Sequence, residues 1–250
     1  MNNGINGKPF LEGQLNFRGL EGIKSKDGRS FRKNLVYRSG SLHGLNGTDV
    51  RKLESIGLAV VIDFRSDREI KSHPSCSIST VKETLRIAIH DAARDLAMSF
   101  LEKNDAPGLE KLLVSDYRRI IRDDSPGFRE FFRIMKQATE FPLVYHCAAG
   151  KDRTGIASVL FLTALGVDAE TVRNDYFLSN ERLKAYADKL ILKVTENGMN
   201  GEILRPMMEV RPEYLDAAFN EIDQRFGGMD NYLGRILDAD IELLKNKYLE

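Results

Sequence analysis

The 250-residue chain has no tryptophan, only two cysteines, only four histidines and no net charge, with 37 basic side chains balancing 37 acidic ones. Each shortage excludes something. Cys76 and Cys147 cannot build the disulfide framework of a small secreted domain, and neither they nor the scattered His43, His73 and His90 show metal-ligand spacing. No metal or other cofactor is therefore expected. A formal charge of +0 gives no bulk attraction to nucleic acid, so no nucleic-acid partner is expected either. The longest apolar runs, such as LAVVI at 58–62, are far too short to cross a bilayer, which argues against an integral membrane segment. The N-terminal stretch MNNGINGKPFLEGQLNF has no basic region followed by an apolar one. It therefore shows no Sec signal, and the expected location is the cytoplasm or the exterior reached by a non-Sec route. No repeat, low-complexity tract or Pro/Ser-rich linker divides the chain, so a single domain over 1–250 is expected.

What is present alternates. Residues 1–15 read as an irregular N-terminus, with a short hairpin through LNFRGLEGIKSKDGRSF. LVYRSG (35–40) reads as a strand, and NGTDVRKLESIG (46–57) as a helix with Thr48 as N-cap and Gly57 as stop. LAVVIDFRS (58–66) is a β-branched run of the kind buried on both faces of a sheet. ETLRIAIHD (83–91) alternates like another strand, two helical patterns follow at about 107–122 and 126–139, and FPLVYHC (141–147) is a third apolar strand. TGIASVLFLTALG (154–166) is an apolar helix. From 168 onward the pattern is almost wholly helical, with breaks at 196–202, near Pro206 and Pro212, and at Gly227-Gly228. Strands alternating with helices predict an α/β fold with a mostly parallel central sheet flanked by helices. The helical part at about 168–250 is expected beside that sheet or over one edge.

The richest chemistry lies at one strand–helix joint. There the string HCAAGKDRTG runs from His146 to Gly155. A loop that leaves a strand and enters a helix aims its backbone N–H groups into one concavity, and the helix N-terminus adds a positive dipole end. Such a nest, lined by Ala148, Ala149, Gly150 and Lys151, suits phosphate or another oxyanion. Gly150 allows the loop conformations that a Cβ forbids. Cys147 sits at the floor, where the field that attracts phosphate also stabilises a thiolate, which makes it a candidate nucleophile. Arg153 offers a planar fork of donors to two phosphate oxygens, and Thr154 is placed to hydrogen-bond the sulfur. Together these groups describe a two-step displacement: thiolate attacks phosphorus, an acid protonates the departing oxygen, and water hydrolyses the phosphocysteine. Cys76, in HPSCSIS, has no such surroundings and reads as a small core hydrophobe.

These residues resemble the phosphate-binding loop of the cysteine-based protein tyrosine phosphatase superfamily. The form with Lys151 and Asp152 ahead of the arginine is similar to that of the atypical bacterial tyrosine phosphatases. NFRGLEG (16–22), VYRSGSL (36–42), VVIDFRSDRE (60–69), DYFLSN (175–180) and RPEYLDAAF (211–219) carry the resemblance over most of the chain. One departure is Gly19, where the family usually has Asp. The resemblance implies a tyrosine-phosphatase-like fold with a helical lid, and dephosphorylation of phosphotyrosine, with phosphoserine, phosphothreonine and phosphoinositides as further substrates. It carries Cys147 over as nucleophile, Arg153 as phosphate binder and Lys151 as an additional cation suited to multiply phosphorylated headgroups. For the general acid it offers Asp152 within the loop, which is preferred. Asp91, where dual-specificity phosphatases carry theirs, is the alternative. Asp152 could instead orient Arg153 or Lys151. His146 is expected to hydrogen-bond loop backbone, and Arg65 and Arg68 to pair with Asp63 and Asp67. Tyr176, Phe177, Leu183, Leu190 and Ile191 read as core or lid packing. A non-catalytic phospho-ligand module of the same fold would keep Arg153 without needing Cys147. Sulfur transfer of the rhodanese type is disfavoured by the Arg153-Thr154-Gly155 helix start, and a nucleotide-binding loop fails because Asp152 follows Lys151.

Overall fold

Five short strands form one sheet in the order β1-β2-β5-β3-β4: β1 (Arg18–Gly19), β2 (Val36–Ser39), β3 (Val60–Asp63), β4 (Glu83–Arg86) and β5 (Leu143–His146). β1 is antiparallel to β2, and every other pairing is parallel. The computed structural model describes residues 10–14, 16–90 and 92–250, apart from the side chains of 92, 94, 95, 98 and 101. Most of the expected irregular N-terminus, and Asp91, therefore lie outside the described residues.

β2, β3 and β5 are buried along their whole length, as their apolar runs require in a sheet covered on both faces. Alternation sends Val36, Val60, Ile62, Leu143 and Tyr145 into a large core built with Phe131, Ile156 and Phe161. Tyr37, Val61 and Val144 point the other way, onto Leu53, Leu42 and Phe17. The helices are α1 (Gly47–Ser55), α2 (Asp67–Ser72), α3 (Ala92–Glu102), α4 (Ala106–Asp123), α5 (Ser125–Gln137), α6 (Arg153–Ala164) and α7 (Ala169–Glu196). α8 (Arg205–Met208), α9 (Pro212–Phe226), α10 (Met229–Asn231) and α11 (Ile241–Tyr248) follow. α9 packs on α4, and α7 on α6, so the helical third flanks the sheet's helical layer. Among the described residues no helix is long and apolar enough to cross a membrane.

Two local expectations need correction, and one helix was not expected. The N-cap of α1 is Asn46, whose side chain accepts from Asp49 N, and not Thr48, which lies inside the first turn. The ladder of β4 ends at Arg86 because its partner β3 ends at Asp63, although Ile87 and Ile89 still donate to Asp63 O and Phe64 O. The helix α3 was not legible, since the strand-like alternation runs up to its start. Breaks in the last third fall as expected: Pro206 and Pro212 open helices, and Gly227 caps α9 in the left-handed region.

Candidate active site

β5 inserts between β2 and β3, so its C-terminal end is the crevice where ligands sit in such sheets. The loop 147–152 leaves that end and enters α6. The carbonyls of Ala148, Ala149 and Gly150 are tied from outside the loop. Ala148 O accepts from Ser41 N at 2.8 Å, and Ala149 O accepts from Asn16 Nδ2 at 3.0 Å. Gly150 O accepts from Asn16 Nδ2 at 3.0 Å and from Arg38 Nη2 at 2.9 Å, and Asp152 O from Ile156 N at 2.8 Å. The backbone N–H groups of Ala148 to Asp152 have no acceptor among the described residues. α6 begins without a side-chain cap, which adds unsatisfied donors of the first turn. Carbonyls held outward and amides left over at a helix N-terminus make an anion-binding nest. Cys147, 2% exposed, is at its base.

Gly150 takes φ +71°, and a Cβ there would lie 2.4 Å from Ser39 O and 2.5 Å from Gly40 N. Gly150→Ala is therefore expected to lose about 3 kcal/mol of stability from left-handed strain and overpacking together. Its affinity for inorganic phosphate should fall as well, which urea unfolding and phosphate titration would check.

Arg153 is buried, and its fork is directed at a carboxylate. Nη1 and Nη2 donate to Glu69 Oε2 and Oε1, both at 2.8 Å, and Nη1 also reaches Ile89 O at 3.2 Å. Glu69 belongs to a capping box: Ser66 N and Oγ both donate to Oε2, so the start of α2 fixes the carboxylate that fixes the arginine. Burial pushes the Glu69 carboxyl up, but the hydrogen bonds and charge of Arg153 outweigh it and hold the group down at about 2. Glu69 was missed in the sequence reading, although Ser66-x-x-Glu69 after a core strand is the signal that could have found it.

Lys151 Nζ is 2.9 Å from the Asp152 carboxylate and 3.4 Å from Glu209 O, in the connection between α8 and α9. Asn180 of α7 pins that connection by exchanging hydrogen bonds with Val210. Asp152 also accepts from Tyr117 OH at 2.7 Å, and Tyr176 OH donates on to Tyr117 at 2.9 Å. Burial, then the Asp152 charge, push the Tyr117 phenol well above its ordinary range, so it remains a donor. Asp152 thus orients Lys151, and no bond joins it to Arg153. The expected bond from Thr154 to the sulfur is not made: Thr154 Oγ1 is buried without a hydrogen-bond partner.

His146 is buried with Nδ1 3.1 Å from Cys147 O, the backbone contact expected of it, and burial lowers its pKa. Arg65 pairs with Asp63 at 2.8 Å as expected, and Cys76 packs against the smaller core. Tyr176, Leu183 and Ile191 are buried, as core or lid packing requires. Among the described residues no group of three or more His, Cys, Asp and Glu could hold a metal ion. Asn16 and Arg38, which hold the loop from behind, lie in two of the segments that carried the resemblance, but nothing local marked them as loop contacts.

Residues 9–250 match the tyrosine phosphatase family. A protein of Cupriavidus necator, provisionally named a tyrosine-protein phosphatase, is 31% identical over 236 residues, covering 94% of this chain and 85% of that one. The triple specificity protein phosphatase PtpB of Mycobacterium tuberculosis is 26% identical over 257 residues, covering 89% of this chain and 91% of its own. The solved structure of P. aeruginosa TpbA in complex with pTyr aligns over 88% of both chains at 14% identity, with a TM-score of 0.31.

Proposed function

Because the chain belongs to the tyrosine phosphatase family, we propose that it hydrolyses phosphomonoesters without a metal, through a phosphocysteine on Cys147. The observation that carries this reading is the loop itself: the carbonyls of Ala148, Ala149 and Gly150 are tied from outside it, while five consecutive N–H groups beside Cys147 find no acceptor among the described residues. In the first step Cys147 Sγ forms a bond to phosphorus as the P–O ester bond breaks, and the departing oxygen takes a proton from the general acid. In the second step water attacks phosphorus, its proton passes to the same residue, and Cys147 leaves as thiolate with inorganic phosphate released. The loop N–H groups and Arg153 neutralise the transferring group in both steps.

For the acid we propose Asp152. As found, its carboxyl group accepts hydrogen bonds from Tyr117 and Lys151, which fix its position at the end of the loop. The whole chain acts as one catalytic unit in this reading, because the helical third supplies Tyr176 and the Glu209 carbonyl around Asp152 and Lys151. It serves as the lid that the resemblance implies.

The substrates proposed are phosphotyrosine proteins, with phosphoserine, phosphothreonine and phosphoinositides behind them. The triple specificity in the name of the mycobacterial relative supports that breadth. So does Lys151, a second cation in the loop. A non-catalytic binder is the competing reading, and it has no need of Cys147.

The test is hydrolysis of aryl and alkyl phosphates in the presence of a chelator, followed by a panel of phosphopeptides and phosphoinositides. Asp152→Ala is expected to lose about 10²- to 10³-fold in kcat on an alkyl phosphate, whose leaving group needs a proton, and much less on an activated aryl phosphate. Equal rates for wild type and Asp152→Ala, with a loss in Asp91→Ala, would move the acid to Asp91. No turnover of any phosphate by the wild type would favour the binder.

A further inference from the structure

Behind the phosphate loop, on the side away from its free N–H groups, lies a buried cluster of charges. Arg38 of β2 is 0% exposed, and Arg18 of β1 is 3% exposed. Both reach one carboxylate, Asp175 of α7: Arg18 Nε lies 3.0 Å from Oδ1, and Arg38 Nη1 bonds Oδ2. Arg18 Nη2 also donates to Asp175 O at 2.9 Å, and Nη1 donates to Asn16 Oδ1. Asn16 and Arg38 then pass to the loop, holding Ala149 O and Gly150 O. A continuous set of hydrogen bonds thus runs from α7 through two arginines and an asparagine to the back of the loop.

The charges in this cluster do not cancel. Arg18 and Arg38 share one carboxylate, and Arg182 is a further cation near them, so the cluster is net positive in a buried place where solvent screens poorly. Arg38 Nε, buried, has no hydrogen-bond partner. Burial, then the charge of Arg38, bring Arg18 down to about 10. Burial pushes the Asp175 carboxyl up, but the two arginines reverse this and hold it below the usual carboxylate range. A buried excess charge of this kind is unfavourable for stability by itself, so a fold assembled for packing alone has no use for it.

We propose that Arg38 and Asp175 are positioning residues for the phosphate loop. Arg38 fixes the outward direction of Gly150 O, and the excess positive charge of its cluster adds to the attraction for the dianion, while Asp175 aims Arg38 and tempers that charge. Resting on the phosphatase reading, this assigns a function to three segments, 16–22, 36–42 and 175–180, from which Asn16, Arg18, Arg38 and Asp175 meet behind the loop. It also gives α7 an indirect hold on the loop, from Asp175 through Arg38 to Gly150 O.

The test is equilibrium binding of inorganic phosphate, measured by calorimetry on the full chain beside kcat and KM for an aryl phosphate. Arg38→Met is expected to weaken phosphate binding by about tenfold, from loss of one poorly screened charge near the loop. Arg38→Lys keeps the charge and loses the planar contact, and is expected to recover most of that binding but not kcat. Asp175→Asn removes the opposing charge but keeps an amide oxygen that can accept from Arg38 and so still aim it, and is expected to bind phosphate at least as tightly as wild type, even though it unfolds at lower urea. Wild-type phosphate affinity in Arg38→Met, or equally weak binding in Arg38→Lys, would overturn the proposal. Should Arg38→Met not fold, Asp175→Asn decides: weakened phosphate binding there contradicts the charge argument. Because binding is read without turnover, these outcomes are separate from failure of the phosphatase reading, which would show as activity that survives in Cys147→Ser.

Discussion

Cys147→Ser is expected to lose turnover by on the order of 10⁵-fold while still binding inorganic phosphate. The hydroxyl is a near-isostere of the thiol in a site 2% exposed, so packing changes little. What is lost is the sulfur nucleophile, which attacks phosphorus far more readily than a serine hydroxyl held in the same place. Phosphate affinity survives because it belongs to the N–H groups and Arg153, neither of which is altered. Acid-quenched wild type, caught during turnover of an aryl phosphate, should yield a phosphorylated Cys147 peptide by mass spectrometry, and the serine variant should yield none. Turnover at near wild-type rates in the variant would remove the covalent mechanism.

Arg153→Lys carries the second large effect, with kcat/KM expected to fall about 10³-fold and stability by about 2 kcal/mol. Lysine preserves the charge, so any loss reports geometry. Arg153 bonds both oxygens of Glu69, each at 2.8 Å, and an ammonium cannot reproduce that planar pairing. The low Glu69 pKa, about 2, expresses how strongly the two groups depend on each other. Glu69→Gln should therefore also lose activity, by about 10- to 100-fold, because Arg153 stays cationic but is no longer held in one orientation. Steady-state kinetics and urea unfolding on the two variants check both numbers. An Arg153→Lys protein within tenfold of wild-type kcat/KM would show that the fork is not used on phosphate.

The site was legible to different depths. The nucleophile, the loop glycine and the arginine could be read because all of them lie within one strand–loop–helix joint, and their chemistry makes sense at that short range. Glu69 was within reach through its capping box, a local pattern, but nothing local says that its carboxylate faces Arg153. The N-cap of α1 was misplaced by two residues, because Asn46 and Thr48 are both good caps and only the path of the chain chooses between them. Lys151 was read as an additional cation, with Asp152 as either the acid or a carboxylate orienting Arg153 or Lys151, and the 2.9 Å contact between Lys151 and Asp152 becomes clear only once the loop has bent.

By itself, then, the order of amino acids determined an α/β sheet with a helical last third, and a thiol, a glycine and an arginine at the end of a buried strand. These follow from periodicity and from side-chain chemistry over a few neighbouring residues. The tertiary structure alone decided which carboxylate aims Arg153, which side chains tie back the loop carbonyls, and that an excess positive charge lies behind them. Those partners stand 84, 134 and 137 positions apart in the chain. Local patterns carry no information at that separation, and only the stacking of β2, β5 and β3 with α2 and α7 brings such groups within hydrogen-bonding distance.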